Sequence, residues 1–227
     1  MWGCCLDLGC GPGTTTDIIA MLNNIERVIG VDYDKNFIKY ANSMKKSNKI
    51  CYVNADCYDL PFPDDYFDSC YARYLFQHLK YPEKALDEII RVVKNHGVIG
   101  IHDIDYDLVI HAPKVKYSDR IKKINTRLKA YYGSDMHIGR KIEQLYYKTN
   151  KLKRIRVFKT VTNSVDYPEF KELFCNMSNG DLDFLLRNGL FTSHELHEHV
   201  ESVKAFLNMP DSFYQIGNYF TYGEVFK

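Results

Sequence analysis

The sequence lacks the long apolar runs and the charge excess that mark several classes of protein. It contains no run of eighteen apolar residues, and Met1 leads directly into apolar residues without a basic leader. Neither a membrane span nor a signal peptide is therefore predicted. Its 30 Lys and Arg residues nearly balance its 29 Asp and Glu residues, so the overall charge excess typical of polyanion-binding proteins is absent. We expect a soluble, cytoplasmic protein without a membrane partner.

Cysteine is present, but it lacks the spacing of a disulfide framework or a zinc site. The seven cysteines are an odd number, and no two of them form a Cys-x-x-Cys motif. Several stand in apolar stretches typical of buried strands. We therefore expect reduced thiols in a cytosolic compartment.

A metal site is also not predicted. The run from His194 to His199 invites a metal interpretation, but Glu198 stands where the His-Glu-x-x-His motif requires its second histidine. The plainer expectation is a solvated helix face.

The first half of the chain alternates short apolar runs with longer amphipathic segments. This pattern is typical of strand and helix units around a parallel sheet, and it predicts a doubly wound α/β fold. The predicted strands cover residues 2–8, 27–31, 50–53, 67–72 and 98–104, and the predicted helices cover residues 14–22, 35–46 and 82–94.

The second half predicts helical segments over residues 117–132, 139–149 and 166–186, and a strand of period two over 152–161. Thr192 and Glu195 have the spacing of a capping box, which opens a predicted helix to about residue 208. The aromatic-rich stretch 213–226 predicts the final strand.

A glycine-rich turn follows the first predicted strand and opens a helix. Residues 6–13 read Leu-Asp-Leu-Gly-Cys-Gly-Pro-Gly, and such glycines let a ligand approach the backbone amides at the helix N-terminus. Thr14 stands where the dinucleotide fingerprint Gly-x-Gly-x-x-Gly has its third glycine, which disfavours NAD.

Two carboxylates follow neighbouring strands. Asp32 ends the second predicted strand about nineteen residues beyond the turn, where a carboxylate can accept both hydrogen bonds from a ribose diol. Asp56 follows the third strand and can accept from an exocyclic amine such as that of adenine. Together with the turn they predict a nucleoside site, although each carboxylate has the alternative role of capping the next helix.

With these residues in place, the sequence resembles the class I S-adenosylmethionine-dependent methyltransferases, and is similar to the ubiquinone and menaquinone biosynthesis type (methyltransferase type 11). The resemblance covers residues 1 to about 107 in family order. The matching segments are residues 6–13, 30–32, 56, 60–62 with 67–68, 75–79, and 86–88 with 91–94.

The resemblance implies a Rossmann-like, seven-stranded, mostly parallel sheet whose last strand is antiparallel. It implies one methyltransferase domain over residues 1–227, with a cofactor-binding half (1–107) and a substrate half (108–227). Helical insertions in the substrate half are expected at about 108–150 and 166–208.

The resemblance also implies S-adenosyl-L-methionine as cofactor and S-adenosyl-L-homocysteine as product. The residues implied at the methionine end are Asp7, Gly9, Cys10, Gly11 and Gly13, with the backbone at Ala72 and Arg73 facing the methionine amine. Those implied at the nucleoside are Asp32 for the ribose hydroxyls, Tyr33 beside the adenine, and Asp56 with the backbone of Cys57 for the adenine edge.

Methyl transfer from a sulfonium depends mainly on how the acceptor is positioned, so the reaction does not always require a catalytic acid or base. A base is required only when the nucleophile starts protonated. His78 is the candidate base, since an imidazole titrates near neutrality, and a structural role is its alternative. Asp103, at the end of the fifth predicted strand, is a candidate to face the substrate, with strand-end capping as the competing role.

Residues 133–140 look like a segment that related enzymes place over the substrate pocket. Tyr131, His137 and Arg140 are accordingly the candidate substrate contacts. A surface loop is the plainer interpretation of the same residues.

The near-zero net charge conceals a division along the chain. Residues 114–159 hold 15 Lys and Arg against 3 Asp and Glu, a net +12, and the remaining residues sum to −11. Two basic helices folding against the acidic half would explain this division. The alternative is a local basic surface for an acidic substrate, RNA or a partner subunit.

The function predicted first is methyl transfer to a small-molecule acceptor. One alternative is a methyltransferase that acts on RNA or protein through the basic segment 114–159, and another is a non-catalytic cofactor-binding or partner subunit.

Similar enzymes usually carry an N-terminal helix that packs on the sheet, whereas the first strand here is predicted at residue 2. The second-half insertions, another subunit in a homo-oligomer, or a natural start further upstream would each account for this difference.

Overall fold

The computed structural model describes residues 3–169, 171–172 and 182–227. The chain divides into two compact units. The first unit comprises the residues up to Ile104 together with Gly133–Lys159 and Tyr219–Lys227, and the second comprises Asp105–Tyr132 and Thr160–Asn218. Within the described ranges, every helix is too short or too polar to cross a membrane.

The strands of the first unit form a mostly parallel sheet. The eight strands of the described residues are β1 (Gly3–Leu8), β2 (Ile25–Asp32), β3 (Ile50–Asn54), β4 (Phe67–Arg73), β5 (Val93–Ile104), β6 (Ile110–Ala112), β7 (Leu152–Asn163) and β8 (Phe213–Val225). The order in the first unit is β3-β2-β1-β4-β5-β8, with β7 pairing β8. Pairing is parallel from β3 through to β5. In the second unit, β6 pairs antiparallel with the start of β8.

The described helices follow the predicted amphipathic segments. They are α1 (Thr14–Ala20), α2 (Lys35–Met44), α3 (Pro82–Val92), α4 (Ser118–Tyr131), α5 (Ile142–Thr149), α6 (Leu182–Arg187) and α7 (Ser193–Asn208). Local signals explain several N-termini. Pro82 occupies the first turn of α3, and the Asp34 carboxylate accepts the Asn36 amide at the start of α2. The predicted capping box of Thr192 and Glu195 is confirmed at α7.

Helices cover both faces of the sheet in the first unit. Alternate residues of a strand point to opposite faces, so Leu6 and Leu8 of β1 join one apolar cluster while Cys5 joins another. The first cluster lies under α3, whose apolar residues, among them Leu86 and Ile89, are buried. The second lies under α1 and α2. The predicted doubly wound α/β class is confirmed.

The boundaries differ from prediction around the fifth strand. β5 begins at Val93 rather than at residue 98, and α3 ends at Val92, two residues before its predicted end. The register of β4 against β5 shifts between Phe67, which pairs with Val93, and Ser69, which pairs with Val98. Four residues of β5, 94–97, therefore stand opposite a single residue of β4. The short strand β6 is additional to the prediction, and part of the helical region predicted over 166–186 lies outside the described residues.

The second unit has its own core and changes one expectation about α7. The core packs Ile121, Leu185, Phe191 and Leu196. The α7 face that contains His199 was expected to be solvated, but His199 is only 1% exposed. Its Nδ1 atom lies 2.7 Å from the carbonyl oxygen of Lys116. The expectation is therefore wrong at His199, because α7 packs on residues far away in sequence.

One arginine of α3 holds the loop that precedes β4. The Arg91 guanidinium donates to Glu88 Oε1 at 2.6 Å and Oε2 at 2.9 Å, and to Asp64 at 2.7 Å. It also donates to the carbonyl oxygens of Leu60 and Phe62 at 3.0 and 2.9 Å. Three of these five hydrogen bonds reach the loop residues and fix the loop against α3.

We expect Arg91→Ala to lower the free energy of unfolding by about 1 to 2 kcal/mol, because it removes charge-assisted hydrogen bonds and leaves the half-buried Glu88 without its cation. Urea unfolding followed by circular dichroism measures this change. Asp87→Ala, on the exposed face of the same helix, is the control. Equal stability of the two variants would contradict the role assigned to Arg91.

Candidate functional site

A cleft of about 420 Å³ opens in the first unit where β1, β2 and β3 end. This is the edge of a doubly wound sheet at which ligands bind. Its walls are mostly apolar, with carboxylates from two different loops. The lining residues are Leu8, Gly9, Val31, Asp32, Tyr33, Ala55, Asp56, Cys57, Tyr58, Leu75, His78, Leu79 and Lys80.

The glycine loop is tied to the end of the neighbouring strand. The amides of Gly9 and Cys10 donate to the carbonyl oxygen of Val31 at 2.8 and 3.0 Å. At Gly13 the backbone has φ 91°, and a Cβ atom there would lie 2.2 Å from the Tyr52 hydroxyl oxygen. Glycine is therefore required at this position both by conformation and by space.

Asp32 connects the glycine loop to the turn after β2. Its Oδ2 atom accepts the Gly11 amide at 2.9 Å, and its Oδ1 atom accepts the Asp34 amide at 2.9 Å. Each carboxylate oxygen has a further lone pair, and the side chain lines the cleft. Asp32 is thus held in orientation and keeps acceptor capacity toward a ligand.

Asp7 lies beneath the loop rather than in the cleft lining. It is 1% exposed, and Thr16 Oγ1 donates to its Oδ2 atom at 2.6 Å. Burial raises the pKa of Asp7 to about 7; the Thr16 hydrogen bond opposes this shift and the charge of Asp32 adds to it. The carboxyl group therefore supports the start of α1 from inside.

The loop after β3 supplies the other end of the cleft. Asp56 is exposed, and its Oδ1 atom accepts the Tyr58 amide at 2.9 Å. Burial raises the pKa of the Cys57 thiol to about 12, so this cysteine presents a neutral S–H group. Tyr33 is 80% exposed at the margin. The loop offers one carboxylate beside weakly polar surface.

The two candidate catalytic residues are placed differently. His78 is exposed and lines the cleft from the short 3₁₀ helix Phe76–His78. Asp103 is fully buried, and its carboxylate accepts hydrogen bonds from the backbone amide of Gln77 at 3.2 Å and the backbone amide of Ile104 at 2.8 Å. Burial raises the pKa of Asp103 to about 7. Asp103 thereby holds the short helix that carries His78.

The cleft brings together some of the predicted site residues but not all of them. Those in its lining are Gly9, Asp32, Tyr33, Asp56, Cys57 and His78. Those of the first unit outside its lining are Asp7, Cys10, Gly11, Gly13, Ala72, Arg73, Asp103, His137 and Arg140. Tyr131 belongs to the second unit, where it is 83% exposed.

Sequence reasoning did not identify Thr16, Tyr58, Gln77 or Lys80. Tyr58 follows Asp56 by two residues, which is the spacing of an Asx turn, so a local signal for it was available. Thr16 and Gln77 contact residues nine and twenty-six positions away. Their roles depend on tertiary packing and carry no local signal.

Comparison with known proteins points to one family for the first unit. A family model described as methyltransferase domain matches residues 6–101. The demethylmenaquinone methyltransferase of Clavibacter sepedonicus is 32% identical over 97 residues, which are 42% of this chain and 39% of that enzyme. The first curated relatives are matched over only 33% to 39% of their own length. The predicted family resemblance is confirmed.

Solved structures share the fold at low sequence identity. The YcgJ protein of Bacillus subtilis aligns with a TM-score of 0.60 and 17% identity, covering 100% of this chain and 93% of that one. A phosphoethanolamine N-methyltransferase of Haemonchus contortus, solved with phosphomonomethylethanolamine and S-adenosylhomocysteine, aligns with a TM-score of 0.58 and 21% identity. That alignment covers 100% of this chain and 49% of the other. These likenesses establish the fold.

The raised pKa of Asp7 predicts how an Asp7→Asn variant responds to pH. The folded protein keeps a proton on Asp7 up to a pKa of about 7, whereas the ordinary value is 3.8. Between these values only the folded state binds the proton, so this group makes stability fall as pH rises. The Asp7→Asn variant does not lose stability in this way, because an asparagine side chain does not titrate. Its stability relative to wild type is expected to increase through this window, by at most about 1.4 kcal/mol per pH unit, and then to level.

Urea unfolding at a series of pH values measures this difference. Asp87→Asn controls for the loss of one carboxyl group at an exposed position. A stability difference between Asp7→Asn and wild type that stays constant with pH would contradict the burial argument.

Proposed function

Because residues 6–101 match the family model described as methyltransferase domain, we propose that this chain transfers a methyl group from S-adenosyl-L-methionine to a small-molecule acceptor. The observation that carries the proposal is the Asp32 carboxylate, oriented by two backbone amides at the edge of a largely apolar cleft. The small-molecule class is supported by the relatives, whose names specify quinone and phosphoethanolamine methyltransferases.

The chemistry of the cleft fits an adenosyl group. Apolar side chains such as Val31 and Leu79 offer contact surface for a purine, and Asp32 offers acceptors for the ribose hydroxyls. Asp56 would accept from the adenine amine. The neutral thiol of Cys57 can lie against the base without adding charge. The glycine loop and the amides at the start of α1 would hold the methionine end.

The bound cofactor would supply an electrophilic methyl group on a sulfonium. The protein then has to hold the acceptor in line and exclude water. We assign His78 the role of accepting a proton from a hydroxyl, thiol or ammonium acceptor. Asp103 fixes the position of His78 through the Gln77 amide. Tyr131, His137 and Arg140 remain the proposed acceptor contacts.

The Asp32→Ala variant tests cofactor binding. We expect at least about ten-fold weaker binding of S-adenosylhomocysteine in calorimetry, because two charge-assisted hydrogen bonds to the ribose are lost. Asp34→Ala, which removes a helix cap near the same strand end, is the control. No binding by the wild-type protein, or equal binding by wild type and Asp32→Ala, would overturn the proposal.

The His78→Gln variant tests the assigned base. With labelled cofactor and a panel of hydroquinones, sterols and phosphoethanolamine, we expect kcat to fall by about 10²- to 10⁴-fold for a protonated acceptor. The affinity for S-adenosylhomocysteine should stay unchanged. A kcat that stays within two-fold of wild type would assign His78 a structural role. Absence of turnover by the wild type across the panel, with intact cofactor binding, would favour a non-catalytic subunit instead.

A further inference from the structure

Carboxylates pair with only some of the cations in the basic segment 114–159. Its first part, around α4, forms ion pairs inside the second unit. These pairs are Lys114 with Asp119, Lys116 with Glu198, and Arg120 with Glu195. Three of the seven Lys and Arg residues in 114–132 therefore meet carboxylates of the same unit.

The second part of the segment lies on β7 in the first unit. Residues 152–159 contain four Lys and Arg residues and no Asp or Glu, and six of the eight are exposed. Arg154 pairs with Glu224 at 2.7 Å. Arg156 donates only to the carbonyl oxygen of Ile155 at 3.2 Å, and no carboxylate of the described ranges pairs with it. Arg156 thus presents a positive charge on β7 that no carboxylate of the described residues neutralises.

Aromatic rings lie among these cations. The ring centroids of Phe158 and Tyr222 are 6.1 Å apart with an interplanar angle of 13°, and those of Phe158 and Phe220 are 6.4 Å apart at 26°. Phe158 is 49% exposed. The ring centroids of Phe220 and Tyr222 are 5.9 Å apart at an interplanar angle of 38°, so the three rings adjoin one another and form an apolar surface on β7 and β8.

The sheet fixes these rings from below. A Cβ atom at Gly100 would lie 3.0 Å from the Phe220 ring, so the absence of a side chain lets this ring approach β5. His102, whose ring centroid is 6.1 Å from that of Phe220, extends the surface. Burial lowers the pKa of His102 to about 4, so its ring is uncharged at neutral pH.

A groove of about 380 Å³ runs beside the rings. Its lining combines two guanidinium groups with an aromatic ring and one carboxylate that is already paired. The lining residues are Val98, Arg154, Arg156, Tyr222 and Glu224. A planar stacking surface next to a guanidinium group that pairs with no carboxylate of the described residues is the combination that binds unpaired bases and their phosphates.

We propose that this basic aromatic face, formed by Arg154, Arg156, Phe158, Phe220 and Tyr222, binds single-stranded nucleic acid. Bases stack on the rings while phosphates pair with the guanidinium groups. Charge complementarity favours this occupant over an apolar protein helix, which would bury the cation of Arg156 without a partner. A duplex is disfavoured because its bases are already stacked on each other.

Fluorescence anisotropy of the full chain with labelled U12 and dT12 tests the proposal and separates RNA from DNA. We expect Phe158→Ala to weaken the binding of the preferred strand by about ten-fold, the effect of losing one stacking ring. Arg154→Gln/Arg156→Gln should reduce the slope of log K against log salt by about 1.4, which corresponds to two phosphate contacts.

Matched variants control for general effects of charge and fold. Lys123→Gln/Arg127→Gln removes the same charge from the exposed side of α4 and should leave the slope unchanged. Phe158→Tyr keeps the ring and should bind like wild type.

Three outcomes would overturn the proposal. The first is no binding of either strand at 50 mM salt, and the second is equal binding by wild type and Phe158→Ala. The third is a wild-type dimer in sedimentation that Phe158→Ala dissociates, which would assign the face to a second copy of the chain. The assay contains no cofactor, so its failure is separate from failure of the proposed methyl transfer.

Discussion

The hydrogen bond between the Gly11 amide and the Asp32 carboxylate is the constraint on which the cofactor cleft depends. It joins the loop after β1 to the end of β2, two strands that are neighbours in the parallel sheet. Because the same carboxylate also accepts the Asp34 amide, its plane is fixed before any ligand arrives. Binding then costs little reordering of this side chain, which is the advantage of preorganisation. A parallel sheet makes this arrangement available, since the carboxyl ends of adjacent strands meet at one edge.

The sequence predicted the parts of this arrangement that follow from local periodicity. Strand ends, the glycine turn and Asp32 are all readable from alternating apolar runs, because each depends on a few adjacent residues. The hydrogen bonds that hold these residues in place were not predictable from local periodicity. Thr16 beneath Asp7, and the Gln77 amide on Asp103, are contacts between elements that only the folded sheet brings together. Burial of His199 was missed for the same reason.

Charge patterning shows a similar limit of one-dimensional reasoning. The count over residues 114–159 identified an excess of cations, but it did not distinguish cations that meet carboxylates from those that do not. The structure makes that distinction, because Arg120 faces Glu195 of α7, whereas Arg156 on β7 has no carboxylate partner among the residues described. A charge without a partner is solvated and free to bind an anion, while a paired charge has to give up its partner first. Arg156 is therefore a cation available to an anion, which the count over the segment does not reveal.

Two buried carboxyl groups complicate any interpretation of pH dependence at this site. Asp7 supports the glycine loop and Asp103 supports the helix that carries His78, and burial raises the pKa of each to about 7. Both therefore change charge in the range where an imidazole also titrates. A bell-shaped or sigmoidal profile with an inflection near neutrality would consequently contain structural ionisations as well as any ionisation of a base. Only the part of such a profile that disappears in His78→Gln and persists in both Asp7→Asn and Asp103→Asn belongs to proton transfer.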